Sequence, residues 1–404
     1  MIPNRSRSDL ALLLLALLAG ALLGVWQPDL AVQMKPLSDL FISIIGVCAP
    51  VVMFILVCSS TAALSDYRAT ARLGLKAMAY WQLMSLLSLL IGLVVALLLR
   101  PGAELESSSH VWSVPLLAGD GPMLSRLPTL LLDSLEESPI LKVLLAALVC
   151  GLLLGRSGET GRRLARQLDR TMAWMFRIMR LIVSFAPLAA FGAIAFIIGK
   201  YGLDAAIPLA KFVVAAYAAC LAYLLLVPLL VMRLLGCRLA RLVGYIKEEL
   251  LLVISTGSSV AALPRLVEKL EAAGCDSQTL RLTLTAGYSF NLNGSSLYLI
   301  VAVLFLAQLG HIDLTPSLLA TIVLVSLFTS LGSTSVAGSA FVTLAATLSV
   351  LDIVPLESIG LLIGVERLMK CRSVTNVVGN CVACLAIAWW HGKVDRGRLR
   401  EVLG

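Results

Sequence analysis

Long apolar runs follow one another along this chain, separated by short clusters of basic or small polar residues. As helices, runs of about 20 apolar residues match the thickness of a bilayer's hydrocarbon core. The first half predicts six spans, at about Asp9–Trp26, Leu37–Leu64, Ala77–Leu99, Ile140–Leu154, Leu181–Ile198 and Ala210–Leu235. Basic residues gather on alternate connections. Arg68, Arg72 and Lys76 follow span two, seven arginines lie between spans four and five, and Arg233, Arg238, Arg241 and Lys247 follow span six. The connection Arg100–Arg126 instead carries Glu104, Glu106 and Asp120. Cytoplasmic connections favour Lys and Arg, so the basic ones lie inside and this acidic one outside.

Past residue 247 the pattern changes. Leu250–Pro264 is apolar but interrupted by Ser255, Thr256, Gly257, Ser258 and Ser259, and the amphipathic arm LPRLVEKLEAAGC follows. Leu280–Gln308 is interrupted by Asn291, Asn293, Gly294, Ser295 and Ser296, and Leu314–Val350 by the stretch Thr329–Ala340. Such breaks are tolerated at membrane depth only where they line protein or a water-filled cavity. Leu250–Cys275 and Leu314–Val350 share one design, an apolar arm, a serine/glycine tip and a second arm. Paired interrupted segments point to a transporter site between inverted repeats. The last span, about Ile359–Trp390, ends in Trp389, Trp390, His391 and Lys393, an interfacial anchor with a basic cytoplasmic tail.

Composition agrees with a polytopic all-α membrane protein. Of 404 residues, 59% are hydrophobic and 14% charged, and the mean hydropathy is +0.95. The net charge of +8 sits in short connections, which gives no reason to invoke nucleic acid. Cys381 and Cys384 form a CxxC on an apolar helix without a second pair, which reads as packing. The run Leu10–Trp26 follows Arg5 and Arg7, but no convincing cleavage site follows it, so it reads as a first span.

The chemistry centres on Glu366–Asn380, ERLMKCRSVTNVVGN. Arg372, Asn376 and Asn380 fall at i, i+4 and i+8 on one helical stripe, with Ser373 beside them. An arginine at mid-membrane costs roughly 3 kcal/mol on insertion scales. A bound carboxylate would offset that cost, because a planar guanidinium flanked by amides recognises carboxylates. The competing readings are that Arg372 snorkels or neutralises an internal acid. Glu366 is the only acid in the span, and on a continuous helix it lies about 240° around from Arg372. Its i,i+4 neighbour is Lys370, so an ion pair between those two is expected.

The second half, from about Ile254 to Trp390, resembles the dicarboxylate/amino acid:cation symporter family. The resemblance rests on the serine tip before Leu263–Pro264, on NLNGS at residues 291–295, on the glycine-rich second tip and on RSVTNVVGN at residues 372–380. ALPRLVEKLEAAGC, GYSFNL and VAGSAF look most like bacterial C4-dicarboxylate carriers. That resemblance implies eight transmembrane helices plus two re-entrant hairpins, in an elevator-type homotrimer of scaffold and transport domains. Mapped on this chain, scaffold helices 1 and 2 occupy 1–76, helix 3 of the transport domain and the outer loop 77–126, and scaffold helix 4 with the basic loop 127–180. Scaffold helix 5 takes 181–209, transport-domain helix 6 takes 210–247, and the first re-entrant hairpin 248–278. Broken helix 7 takes 279–312, the second hairpin 313–354, and helix 8 with the tail 355–404.

By position, the resemblance implies substrate contacts from Arg372, Asn376, Ser373, Ser258, Ser259, Ser295, Val336 and Gly338. The aspartate that binds an amino group in amino acid carriers has no counterpart among Leu368, Met369 and Lys370. The spacing from Gly364 is also one residue shorter. A C4 dianion such as succinate, fumarate or malate fits this better than aspartate or glutamate.

Cation sites of the family would fall on Asn291, Asn293, Asn380, Ser85, Ser330, Leu331 and Ser333. Asn293 and Asn380 are amides where sodium-coupled members carry acids, and Trp81 and Met84 stand at a tyrosine and a threonine. Without negative charge a hard cation is held less well. Proton coupling, exchange or facilitated transport is therefore expected ahead of sodium symport, with no cofactor. The expected setting is a bacterial inner membrane, with lipid around the trimer and both termini cytoplasmic. Rival readings are a sodium-coupled acidic amino acid symporter, an anion-leaking channel, a dicarboxylate sensor, and an intramembrane serine enzyme. The last lacks a histidine base in any span core.

Overall fold

In the computed structural model the described residues form helices and turns, with a single isolated β-bridge. The structure describes residues 3–41, 43–44, 51, 54–55, 58–59, 62, 71–103, 139–202, 206–256, 259–333, 339–366 and 368–404. Most of expected span two and of the outer connection falls outside them. Among the described residues, Gly74–Leu99, Ile207–Leu234, Ala286–Leu309 and Lys370–Trp390 are long and apolar enough to cross a membrane.

The first half opens with α1 (Pro3–Trp26) and α2 (Pro28–Val32), then α3 (Ala71–Leu99) and α4 (Pro139–Arg156). The stretch expected as a basic loop is itself helical, as α5 (Gly158–Ser184). Its charges hid its period: Leu164 and Leu168 stand four apart, and exposed Arg163, Arg170 and Arg177 recur every seven residues. Helix α6 (Ala186–Tyr201) then packs against α1 and α2. Small residues make that approach possible. A Cβ on Gly20 would stand 2.6 Å from the Phe191 carbonyl oxygen, and one on Gly192 would stand 2.7 Å from that of Met34. Without a hydrophobic drive between helices in lipid, such close packing holds them together. Leu15, Leu18, Leu22 and Val25 of α1 face outward, as lipid contacts would.

Helix α7 (Ala206–Leu234) leads to two short helices, α8 (Leu239–Tyr245) and α9 (Lys247–Thr256). After the serine tip come a 3₁₀ turn at Ser259–Ala262 and α10 (Leu263–Ala272), giving the arm, tip and arm read from the sequence. The next span breaks where its amides predicted. Helix α11 (Ser277–Phe290) ends at Asn291, and α12 (Asn293–Leu309) begins two residues later. Every residue of α12 except Gln308 is buried, so this helix, apolar for most of its length, is the axis of the second half. Helix α13 (Pro316–Thr329), a 3₁₀ turn at Ser330–Gly332 and α14 (Ser339–Leu351) repeat the interrupted design.

The last span corrects the expectation of one continuous helix. It is two helices, α15 (Gly360–Glu366) and α16 (Lys370–Trp390). Tyr217 on α7 donates its hydroxyl to the Leu368 carbonyl at 2.7 Å, holding the chain at the break. The chain ends in α17 (Arg396–Leu403), capped by Asp395. That tail is tied down, since the Arg238 amide donates to the Leu403 carbonyl at 2.8 Å and the Asp395 amide to that of Gly274 at 2.9 Å.

Candidate substrate site around Arg372

The site forms where α12 starts, α15 ends and α16 begins. Gly294 makes this approach possible, because a Cβ there would collide with the backbone carbonyl of Arg372. Gly287 and Gly379 do the same for the amides, at 2.6 Å from Asn380 Oδ1 and 2.9 Å from Asn293 Nδ2 for an added Cβ. The start of α12 leaves backbone N–H groups without helical partners. Asn376 caps this end, its Oδ1 accepting from the Gly294 amide at 2.8 Å and, at 3.2 Å, sharing the Ser295 amide with the Leu292 carbonyl. Its Nδ2 donates to Ser295 Oγ at 3.1 Å. Asn376 and Ser295, expected as ligands, thus hold each other and the tip of α12.

Arg372 is 7% exposed and lies over the ring of Tyr298, 5.4 Å from its centroid. Its Nη2 donates to Glu366 Oε1 at 2.9 Å, and both side chains are 8% exposed. The expectation that Glu366 sits across the helix from Arg372 therefore fails for a geometric reason. The break between α15 and α16 resets the helical phase and brings Glu366 back onto Arg372. Of the readings weighed from the sequence, neutralisation of an internal acid is the one observed. Among the described residues, Arg372 Nη1 nevertheless has no hydrogen-bond partner, and neither does the Tyr298 hydroxyl.

Other expected residues converge on the same place. Ser259, at the first tip, donates its hydroxyl to the Ser373 carbonyl at 3.3 Å, which brings that tip onto α16. Ser258, Val336 and Gly338 lie outside the described residues. The expected cation residues form a second cluster, on the α11 side. Asn293 Nδ2 donates to Asn291 Oδ1 at 3.1 Å, and Asn291 Nδ2 to Asn380 Oδ1 at 3.0 Å. All three amides are buried, and the hydrogen-bonded chain ends on two atoms without a partner among the described residues, Asn293 Oδ1 and Asn380 Nδ2. Beside it Trp81 stacks on Phe290, with centroids 5.9 Å apart and planes 9° off parallel. Leu331 of the second tip packs against that pair. Ser85 is buried, Ser333 is buried with an unpaired hydroxyl, and Ser330 bonds back to the Leu327 carbonyl.

Two members of the site were missed. Tyr298 had a readable signal, since it lies three residues after Ser295 on the same face of α12. Glu366 had one only in the shortened spacing from Gly364.

All-helical, apolar on its exposed faces and carrying a charged centre, the protein is a polytopic membrane protein built around a polar site. A family model described as the Sodium:dicarboxylate symporter family matches residues 10–390. The chain belongs to that family. It is 38% identical over 399 residues, 96% of this chain and 93% of theirs, to proteins named C4-dicarboxylate transport protein. These come from Burkholderia pseudomallei (strain 668), Burkholderia orbicola (strain MC0-3) and Burkholderia mallei (strain SAVP1).

Proposed function

We propose that the protein carries C4-dicarboxylates such as succinate, fumarate or malate across a bacterial inner membrane by alternating access. The observation that carries this reading is the buried guanidinium of Arg372, with one nitrogen free among the described residues, beside hydroxyls of two interrupted helices. A planar fork of donors in a low-dielectric setting selects a carboxylate. No acid stands at residues 368–370 to hold an amino group, which favours a diacid over an amino acid. The names of the Burkholderia relatives agree with that choice.

Sodium-independent coupling, by protons or by exchange, is part of the proposal. Its support is the chain Asn293–Asn291–Asn380, which offers amide dipoles and no carboxylate. Two interrupted segments, α9–α10 and α13–α14, are proposed as re-entrant gates of a moving transport domain in a homotrimer, with both termini cytoplasmic. The test is labelled succinate uptake by proteoliposomes under a sodium gradient, a proton gradient, or neither with internal succinate. Uptake without sodium is expected. An absolute sodium requirement would return the cation to this amide cluster. Silence with succinate, fumarate and malate in every condition would overturn the transport reading.

A further inference from the structure

We infer that Cys220 and Cys371 form a dithiol site that a hydroperoxide oxidises to a disulfide, and that this bond turns succinate binding off. The effect on binding rests on the dicarboxylate reading above. Three observations carry the inference. Helix α7 is fastened to the break in the last span by Tyr217, whose hydroxyl donates to the Leu368 carbonyl at 2.7 Å. Three residues further along each segment, the side chains of Cys220 and Cys371 are in direct contact. Both are free thiols, Cys220 buried and Cys371 half-buried.

The first two observations bring the sulfurs together and hold them there. Tyr217 and Cys220 lie on one face of α7, a turn apart, so the bond at Leu368 fixes the register that sets Cys220 against Cys371. The third observation makes the pair reactive. A buried cysteine ordinarily acts as a small apolar residue. Cys381 and Cys384 fit that description, since both are buried and Cys384 Sγ accepts from the Thr283 hydroxyl at 3.3 Å. Cys371 is partly exposed, so an oxidant reaches it while its partner waits behind it. In the first step the Cys371 sulfur takes one oxygen from the hydroperoxide, giving a sulfenic acid and an alcohol. The Cys220 thiol then attacks that sulfur. The S–S bond forms, and the sulfenic hydroxyl leaves as water with the thiol proton. The two thiols lose two electrons, which the hydroperoxide takes up.

The disulfide acts on the substrate centre through α16. It holds its sulfurs about 2.05 Å apart, well inside the contact distance of two thiols, and so draws the start of α16 towards α7. Arg372 follows Cys371 directly, and there is no slack on its other side. Gly294 lies so close to the Arg372 backbone carbonyl that a Cβ would collide with it, and Asn376 fastens α16 to the Gly294 and Ser295 amides. Moving the start of α16 therefore takes the guanidinium and the tip of α12 out of register.

The experiment uses the full chain, purified under dithiothreitol and then exposed to tert-butyl hydroperoxide. Disulfides are mapped by peptide mass spectrometry. Labelled-succinate binding is measured before oxidation, after it, and after dithiothreitol is restored. A linked peptide pair containing Cys220 and Cys371 is expected, with binding weakened about tenfold or more and recovered on reduction, because a guanidinium fork reads a carboxylate only in register. Cys220→Ser is expected to bind succinate as reduced wild type does, and to keep that binding under hydroperoxide. If Cys220→Ser does not fold, Cys220→Ala carries the test. Absence of the linked pair in wild type overturns the site, and a mapped disulfide with unchanged binding overturns the switch. Binding that hydroperoxide abolishes equally in the Cys220 variant also overturns the switch, because the damage then lies elsewhere. Reduced wild type that binds none of succinate, fumarate or malate overturns the proposed function and the switch with it, while the peptide map still decides the dithiol site.

Discussion

Two ion pairs of similar length, one partly and one deeply buried, do different things in this protein. At the base of the first interrupted segment, Lys269 Nζ lies 2.7 Å from Glu249 Oε2. The same ammonium donates to the Tyr245 carbonyl at 2.9 Å and sits 5.6 Å from the Tyr245 ring centroid. Tyr245 in turn donates its hydroxyl to the Lys269 carbonyl at 3.0 Å. The cation is 28% exposed and has several acceptors, so that pair is a closed structural joint between α9 and α10. At the centre, Arg372 and Glu366 lie 2.9 Å apart, more deeply buried and with Nη1 left over. Burying a charge pair contributes little net stability unless the remaining donors are satisfied. The saturated pair builds the fold. The unsaturated one leaves Nη1 without a partner among the described residues, and the proposed substrate carboxylate would fill that place.

The largest effect comes from breaking the central pair on its cationic side. Arg372→Gln is expected to lower succinate uptake by about 100-fold or more, and Arg372→Lys by about tenfold or more, since lysine keeps charge but loses the planar fork. Initial rates in proteoliposomes decide this. A lysine variant at wild-type rate would mean that charge alone is read. Next in size is Gly294→Ala. The new Cβ runs into the Arg372 backbone, so α12 and α16 must separate, at a cost of about 1–3 kcal/mol. A lower unfolding temperature and weaker succinate binding are expected together, and a variant stable as wild type would remove the proposed tight seat.

The joint between Lys269 and Glu249 responds differently. Lys269→Ala leaves Glu249, which is 1% exposed, without its ammonium. Because Lys269 is itself partly wetted, the loss is expected near 1–3 kcal/mol rather than the larger values for fully buried pairs. The succinate KM is expected to stay within about twofold, as Lys269 is outside the site. A large KM change with unchanged melting would dissolve the distinction between the two pairs.

That distinction also marks how far the sequence could be read. The stripe of Arg372, Asn376 and Asn380 is legible because α16 is regular across it and spacing is then geometry. The break at Asn291–Leu292 is legible because polar residues interrupt an apolar run. The break after Glu366 is not, because Glu, Arg, Leu, Met and Lys are all good helix formers with no Gly or Pro among them. What stands at the break is Tyr217, 151 residues earlier, which takes the Leu368 carbonyl out of the helical ladder. Tertiary structure overrides propensity there, and the override turns Glu366 from a bystander into the partner of Arg372. Helix α5 was hidden for the opposite reason, its arginines marking the side of the membrane more loudly than its period marked a helix.

The smallest effect lies at the start of α11, which Asp276 caps. Its Oδ2 accepts from the Thr279 amide at 2.9 Å and the Thr279 hydroxyl at 2.8 Å. The Thr279 backbone bond, then its hydroxyl, holds the carboxyl below its ordinary value of 3.8. A depressed folded pKa means the charged cap adds stability in full above the unfolded value, near about 3.9. That stability is lost as pH falls through the folded pKa. Asp276→Ala is therefore expected to lower stability by about 1 kcal/mol at neutral pH, and the gap to wild type should close below about pH 4. Between about pH 5 and 8 the gap stays flat, because the carboxyl is ionised in both states. A gap that persisted undiminished in acid would mean that Asp276 acts through shape rather than charge. This joint would then belong with neither ion pair, and the contrast would rest on Lys269 and Arg372 alone.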